Sequence, residues 1–131
     1  MKTEKFTRVS SGAKWEDIVG YSRAIKYRNT VEVSGTISID ENGKVYGKGS
    51  PYEQTKYIIR KAEKAIKELG GSLEDVIRTR MYTTDISKWE EIGRAHGEFF
   101  NKTKPATSMV EVSKLIIPET TIEIEFTALI N

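Results

Sequence analysis

Residues 121–130, TIEIEFTALI, decide the fold. Apolar side chains occupy every second position of this stretch, at Ile122, Ile124, Phe126, Ala128 and Ile130. Polar side chains lie between them, at Glu123, Glu125 and Thr127. Strict alternation predicts a β-strand in a sheet with two unlike faces, one covered by other elements and one polar.

Two amphipathic helices are predicted to cover the apolar face. Ser50 and Glu53 form a capping-box pattern around Pro51, which suits the first helical position. Gly70 and the glycine after it end the helical spacing that follows, because glycine adopts the left-handed conformation without penalty. Lysines at 56, 61, 64 and 67 are interpreted as the solvated face of this helix. The second helix is predicted to begin at the capping pattern of Ser87, Lys88, Trp89 and Glu90, and its apolar stripe contains Trp89, Ile92, His96, Phe99 and Phe100.

Further strands are predicted at residues 5–9, 21–27, 31–39, 76–84 and 107–113. Asn42-Gly43 favours a tight hairpin, with a return strand that begins at Val45 and Tyr46. The pattern therefore predicts one α+β domain over residues 1–131, with two helices on one face of a mixed, mostly antiparallel sheet.

Alternation also assigns side chains to faces. Within residues 76–84 it places Ile77, Thr79, Met81 and Thr83 on one face, and Val76, Arg78, Arg80 and Tyr82 on the other. The polar face is predicted to carry Glu32, Ser34, Thr36, Arg80, Tyr82, Thr107, Met109, Glu111, Glu123 and Glu125. Such a face either contacts solvent or packs against copies of the chain and leaves clefts between them, and alternation leaves both alternatives open.

Composition narrows the function classes. The chain has 131 residues, a net charge of +2 and no cysteine, which excludes a disulfide framework and a thiol nucleophile. We expect a cytoplasmic protein with no membrane span, because the apolar runs are short and residues 1–10 lack the apolar region of a secretory leader. With a single histidine and no phosphate-binding glycine loop, no metal site and no cofactor are expected.

Several stretches together resemble the Rid family (RidA/YjgF/L-PSP endoribonuclease-like). They are NTVEVSGTIS at residues 29–38, GGSLEDVIRTRMYTTDISKWEEIGRAHGEFF at 70–100, KPATSMVEVSKL at 104–115 and IEIEFTA at 122–128. The resemblance implies a chorismate-mutase-like fold. It also implies a homotrimer whose sheets line a central barrel, with a small-molecule ligand in three clefts between subunits.

The resemblance also implies which residues line the cleft. Tyr21, Ser34 and Gly35 match cleft positions, and Glu123 matches the glutamate that orients water when reactive 2-imino acids are hydrolysed. Thr107 stands where that deaminase branch has an arginine, whose planar fork binds the substrate carboxylate. Met109 stands where cysteine is common, and Gly93 where the branch has asparagine.

Three residues keep two interpretations each. Thr107 is either a cleft residue for a differently charged ligand or a β-branched filler of the strand. Arg80 either forms a replacement anion site or an ion pair with Glu111, Glu123 or Glu125. Glu123 either positions water as a base or forms a structural pair across subunits.

We therefore expect a trimer that binds a small metabolite, such as an imino or oxo acid, without the standard 2-imino acid deaminase activity. The alternative is a hydrolase that deaminates an imine or enamine with Arg80 and Glu123. An endoribonuclease or translation-inhibitor role is disfavoured, because no basic stripe with interleaved aromatics suits nucleic acid. A scaffolding role is compatible with the same fold.

Overall fold

The computed structural model describes residues 5–131, which form six strands and two long helices. The strands are β1 (Thr7–Val9), β2 (Ala24–Tyr27), β3 (Thr30–Ile37), β4 (Val76–Thr83), β5 (Ala106–Glu111) and β6 (Ile122–Leu129), and the helices are α1 (Pro51–Glu68) and α2 (Trp89–Phe100). A π-helical turn spans Glu16–Gly20, and 3-10 turns span Leu73–Asp75 and Ile86–Lys88. The predicted strand at residues 21–27 begins only at Ala24.

The six strands form one mixed sheet in the order β1-β2-β3-β6-β4-β5. β4 and β5 run parallel, and the other neighbouring strands run antiparallel. Ile122, Ile124 and Phe126 of β6 are fully buried, in one cluster with apolar side chains of both helices such as Ile58 and Ile92. The predicted α+β class, with both helices on one face of the sheet, is confirmed.

Helix α1 begins and ends where the sequence predicts. The Ser50 hydroxyl accepts a hydrogen bond from the Glu53 backbone N–H at 3.1 Å, and Pro51 occupies the first turn. At the other end, Gly70 has φ of 93°, and the N–H groups of Gly70 and Gly71 donate to the carbonyls of Lys67 and Ile66. This paired arrangement is the Schellman motif, which satisfies two carbonyls at the helix end.

Two irregularities in the sheet shift face assignments that strict alternation had made. A register shift between Val33 and Thr36 moves Thr36 to the core face, where it is fully buried. A second shift between Val76 and Arg78 leaves Val76 in the core and exposes 47% of Ile77. The predictions for these three side chains, Thr36, Val76 and Ile77, were wrong because a bulge adds one residue and reverses the alternation beyond it.

Strand β5 faces the opposite way from the prediction. Its parallel register pairs Thr107 with Thr79 and Met109 with Met81, so these residues lie on the helix-covered side of the sheet. Glu111 pairs with Thr83 on that side as well. The sequence gives the alternation within β5 but not the register against β4, and the register assigns the face.

The start of α2 also differs from the prediction. Asp85, rather than Ser87, supplies a capping oxygen, but it caps the 3-10 turn Ile86–Lys88 that precedes α2, because its side chain accepts a hydrogen bond from the Ser87 N–H. Helix α2 itself has no side-chain hydrogen bond at its N-cap, Lys88. Trp89 is 56% exposed and lies outside the core, although the apolar stripe was predicted to include it. The predicted return strand at Val45 is reduced to an isolated bridge with Ile39.

Within residues 5–131, neither helix is both long and apolar enough to cross a membrane. The predicted absence of a secretory leader concerns residues 1–10, and residues 1–4 of that segment lie outside the described residues.

Substitution Ser50→Ala removes the cap of α1, and we expect it to lower the free energy of unfolding by about 1 kcal/mol. Ser87→Ala is the matched control. Its hydroxyl only donates to Asp85 in an exposed turn, so a loss within about 0.5 kcal/mol is expected. Urea denaturation of both variants measures the difference. Equal losses would contradict the assignment of the caps.

Candidate functional site

The side chain of Glu123 lies across the backbone of Gly35 on the face of the sheet that the helices leave open, called the open face below. A Cβ atom added to Gly35 would stand 2.0 Å from Glu123 Oε2, so only glycine leaves room for the carboxylate in this position. The bulge in β3 supplies this glycine, and β6 supplies the glutamate from the neighbouring strand. The structure therefore brings these two predicted site residues together.

Hydrogen bonds hold the bulge in place. The Ser34 N–H donates to the Arg23 carbonyl at 2.9 Å, and the Ser34 hydroxyl donates to the Ser22 carbonyl at 2.7 Å. The Arg23 guanidinium donates from Nη2 to the Gly35 carbonyl at 2.7 Å and lies 5.6 Å from the centre of the Tyr21 ring. Tyr21, Ser34, Gly35 and Glu123 are thus gathered around one arginine at one end of the open face.

The carboxyl of Glu123 is held in its neutral form more readily than usual. Burial raises its pKa, the neighbouring Glu125 carboxylate raises it further, and the Arg23 guanidinium opposes both effects. Glu125 also accepts a hydrogen bond from the Tyr82 hydroxyl at 2.9 Å, and that bond raises the pKa of Tyr82. A half-buried carboxyl with a raised pKa is a stronger base once it is ionised, which suits a general base.

Arg80 lies on the open face, opposite Glu125 of β6. Among residues 5–131 it forms no ion pair within 4.0 Å. The predicted pairing with Glu111 is wrong, because Glu111 lies on the other side of the sheet and accepts a hydrogen bond from the Ile86 N–H. Arg80 therefore remains beside the site with no carboxylate partner among the described residues.

Thr107 and Met109 do not join these residues within one chain. The Thr107 hydroxyl lies 2.7 Å from the Thr79 hydroxyl, which in turn lies 2.9 Å from Nε2 of His96 on α2. Met109 packs against the core cluster. The predicted site residues thus separate into two groups on opposite sides of the sheet.

The hydrogen-bond chain through Thr107 explains why a small hydroxyl suits this position. Burial lowers the pKa of His96 to about 4, so its ring is neutral at physiological pH. If Nε2 carries the proton, it donates to Thr79, Thr79 donates to Thr107, and Thr107 donates to the Pro105 carbonyl at 3.2 Å. Every hydroxyl in this order has an acceptor, and β5 is joined through it to β4 and α2.

One buried and one partly buried cation were missed from the sequence. Arg23 is only 8% exposed, and Lys61 of α1 donates to the carbonyls of Ile37 at 3.1 Å and Ile39 at 2.9 Å. Burial, and then the nearby Arg23, lower the pKa of Lys61 to about 8, so the predicted solvated role of this lysine was wrong. One signal in the sequence could have indicated Arg23, because it lies two residues after Tyr21, the predicted cleft tyrosine. Residues 21–27 were predicted to be a strand.

No group of three or more potential metal ligands is found within the described part of the chain.

Comparison with known proteins gives consistent matches over most of the chain. The family model described as Endoribonuclease L-PSP matches residues 12–130. An uncharacterised protein from Streptomyces coelicolor is 37% identical over 128 residues, which are 98% of this chain and 95% of that protein. The 3-aminoacrylate deaminase RutC of Acinetobacter baylyi is 33% identical over 104 residues, or 79% of this chain and 82% of that protein.

A solved structure extends the similarity to the fold. The crystal structure of a member of the YjgF/YER057c/UK114 family from Mycobacterium tuberculosis has a TM-score of 0.88 and 43% sequence identity. The match covers 96% of this chain and 100% of that chain.

The pKa of His96 can be measured directly, since the chain has a single histidine. We expect the Hε1 resonance to titrate with a pKa about 4. Because the unfolded chain binds a proton near pH 6.5 and the folded chain does not, this group should lower stability as pH falls from 6.5 to 4. Substitution His96→Gln should lower the number of protons taken up on unfolding in this pH range by up to about one. A folded-state pKa near 6.5 would contradict the buried, neutral ring.

The raised pKa of Glu123 should change stability with pH in the opposite direction. The folded chain holds this proton more tightly than the unfolded chain, so stability should fall as pH rises from 4.5 through the folded-state pKa. Glu123→Gln should abolish that loss and so unfold at a higher temperature than the unsubstituted chain at pH 7, but not at pH 4. Glu32→Gln, which changes an exposed carboxylate on the same face, is the control. Identical pH profiles for Glu123→Gln and the unsubstituted chain would contradict the assignment.

Proposed function

Because the chain belongs to the Endoribonuclease L-PSP family, we propose that it binds a small metabolite in clefts between copies of itself. The ligand would be an imino acid, an oxo acid or a similar compound. The observation that carries this proposal is the Glu123 carboxyl, half-buried against Gly35 and gathered with Tyr21 and Ser34 around a buried arginine.

The separation of the candidate residues supports a cleft between copies. Four candidate residues lie around the bulge and the open face of one chain: Tyr21, Ser34, Gly35 and Glu123. Thr107 and Met109 lie on the helix-covered side of the edge strand β5. A neighbouring copy that presents its β5 edge to the open face would unite the two groups. In the proposed homotrimer each of the three clefts takes one group from each of two subunits.

The open face has the composition of a surface that packs against copies. It leaves Ile77 and Val110 each 47% exposed and Leu129 39% exposed, among Arg80, Glu123 and Glu125. A surface that mixes apolar and charged side chains in this way suits contact between copies of the chain, with polar groups retained at the subunit interfaces. The proposed barrel interior is therefore lined by the open face.

Thr107 supports a ligand chemistry different from that of the 2-imino acid deaminase branch. Its hydroxyl carries no charge and already has neighbours in Thr79 and Pro105. It cannot provide the two parallel donors with which a guanidinium binds a carboxylate. We therefore propose that the standard 2-imino acid deaminase reaction, with an arginine at this position, is absent.

A second candidate is hydrolysis of an imine or enamine, favoured by the raised pKa of Glu123 and by the similarity to a 3-aminoacrylate deaminase. In this reaction the Glu123 carboxylate takes a proton from water as the oxygen attacks the imine carbon. Glu123 passes that proton to the nitrogen, which gives a carbinolamine. The carbinolamine hydroxyl then gives its own proton, through the Glu123 carboxylate, to the nitrogen as the C–N bond breaks and the C=O bond forms, so that ammonia and a carbonyl compound are released. Arg80, on the same face, would hold the anionic part of the substrate in this candidate.

RNA cleavage is less well supported. The single histidine has a pKa about 4 and lies in a hydrogen-bond chain with Thr79, which leaves no pair of histidines for general acid–base cleavage.

The cysteine-free composition supports the reducing cytoplasm as the proposed location.

Binding and hydrolysis are tested together by substitution Gly35→Ala. The new methyl group displaces the flexible end of Glu123 rather than the backbone, so we expect the fold to persist and 2-oxobutanoate to bind at least tenfold more weakly, as measured by calorimetry. Gly97→Ala is the matched control, since a Cβ at this helical position meets nothing within 4 Å and binding should be unchanged.

The unsubstituted chain and Glu123→Gln separate the two candidates. Imines generated by an amino-acid oxidase and trapped with semicarbazide report hydrolysis. Faster imine loss with the unsubstituted chain, abolished in Glu123→Gln, would favour the hydrolase. Saturable binding of 2-oxobutanoate without that acceleration would favour the binding role. If the unsubstituted chain neither binds 2-oxobutanoate nor accelerates imine loss, both candidates fail.

A further inference from the structure

We propose that Arg23 is the anion-binding residue of the cleft and receives the carboxylate of the ligand. The inference rests on the proposed function and deepens it, because it assigns a side chain to the part of the ligand that Thr107 cannot bind. Neither Tyr21 nor Ser34 could supply that charge, since both are neutral.

The guanidinium of Arg23 is buried with unused hydrogen-bonding capacity. The side chain is 8% exposed, and its Nη2 donates to the Gly35 carbonyl at 2.7 Å. Its Nε is buried and has no acceptor among the described residues. A guanidinium has five N–H donors, and a buried cation is costly unless it is paired. Arg23 thus has both the charge and the spare donors for an acidic ligand.

No carboxylate of residues 5–131 forms an ion pair with Arg23 within 4.0 Å. Buried Glu16 is already engaged, because it accepts hydrogen bonds from the Ser10 hydroxyl and from the N–H and hydroxyl of Ser11. The nearby Glu123 interacts with Arg23 electrostatically but from beyond ion-pair distance. The positive charge is therefore only partly balanced.

The electrostatic surroundings select the kind of anion. Lys61 adds a second, partly buried cation, whose charge and that of Arg23 affect one another, although the Glu16 and Asp40 carboxylates also lie near Lys61. The nearby Glu123 carboxyl, with Glu125 beside it, would repel a strongly charged group. A planar monoanion such as a carboxylate gains from the two cations and is repelled less than a dianionic phosphate. We therefore assign the subsite to a carboxylate.

Its position fits the rest of the proposed cleft. The guanidinium carbon of Arg23 lies 5.6 Å from the centre of the Tyr21 ring, and its Nη2 donates to the Gly35 carbonyl of the bulge. A carboxylate bound here would leave the adjoining part of a small ligand near Glu123, where the proton transfer of the hydrolase candidate would occur. Arg23 would in this way take the part that an arginine at position 107 plays in the related deaminases.

A structural role for Arg23 is separable from the proposed one. If the side chain only holds the bulge through the Gly35 carbonyl, its loss should weaken charged and neutral ligands equally. If it binds a carboxylate, its loss should weaken only the charged ligand. A pair of probes that differ in this charge alone, 2-oxobutanoate and 2-oxobutanamide, distinguishes the two.

Calorimetric titration of both probes into the full chain is the test. For Arg23→Gln we expect at least tenfold weaker binding of 2-oxobutanoate and a change within twofold for 2-oxobutanamide. Arg23→Lys keeps the charge without the planar fork, so its affinity for 2-oxobutanoate should lie between those of the unsubstituted chain and Arg23→Gln. Arg78→Gln is the matched control, because it removes another arginine of the open face, whose guanidinium donates to the Ser108 hydroxyl, and it should bind both probes as the unsubstituted chain does. Arg80→Gln tests the competing assignment of the anion to Arg80. Inorganic phosphate should not compete at equal concentration.

The outcomes separate this inference from the proposed function. Loss of 2-oxobutanoate binding in Arg80→Gln but not in Arg23→Gln would assign the anion to Arg80 and overturn the inference alone. Equal weakening of both probes in Arg23→Gln would assign a structural role and also overturn it. If Arg23→Gln does not fold, Arg23→Lys decides: an unchanged ratio of the two affinities overturns the inference. No binding of either probe to the unsubstituted chain would overturn the proposed function as well.

Discussion

The burial of one face of β6 beneath the two helices is the constraint on which the rest of the structure depends. Ile122, Ile124 and Phe126 are fully buried there, and β6 lies between β3 and β4 inside the sheet. Because successive residues of a strand point to opposite faces, burying these three side chains places Glu123 and Glu125 on the open face. The hydrophobic effect that fixes the fold therefore also fixes where the carboxylates of the candidate site lie.

A local irregularity then converts this face into a site. The bulge in β3 removes Thr36 from the open face and leaves Ser34 and Gly35 there, with no side chain at Gly35 to fill the space that Glu123 occupies. The same bulge offers the Gly35 carbonyl to Arg23, which brings a buried cation to the carboxylates. The bulge therefore brings a buried cation, a half-buried carboxyl and a glycine without a side chain into one small region.

The sequence was a good guide wherever a regular repeat decided the outcome. Alternation in β6, the cap at Ser50 and the glycine stop after α1 were all predicted, because each depends on residues close together in the chain. It failed where register or long-range burial decided. Thr107 was assigned to the wrong face because its face depends on pairing with Thr79, and Arg23 was missed because its burial depends on distant segments.

The central claim is that copies of the chain cover the open face and complete a site that one chain holds only in part. Sedimentation equilibrium of the full chain at micromolar concentration tests it most directly. The account predicts a trimer with three times the chain mass of 14.8 kDa, or about 44 kDa. A mass of 14.8 kDa under those conditions would mean that no other copy covers the open face, and it would contradict the claim.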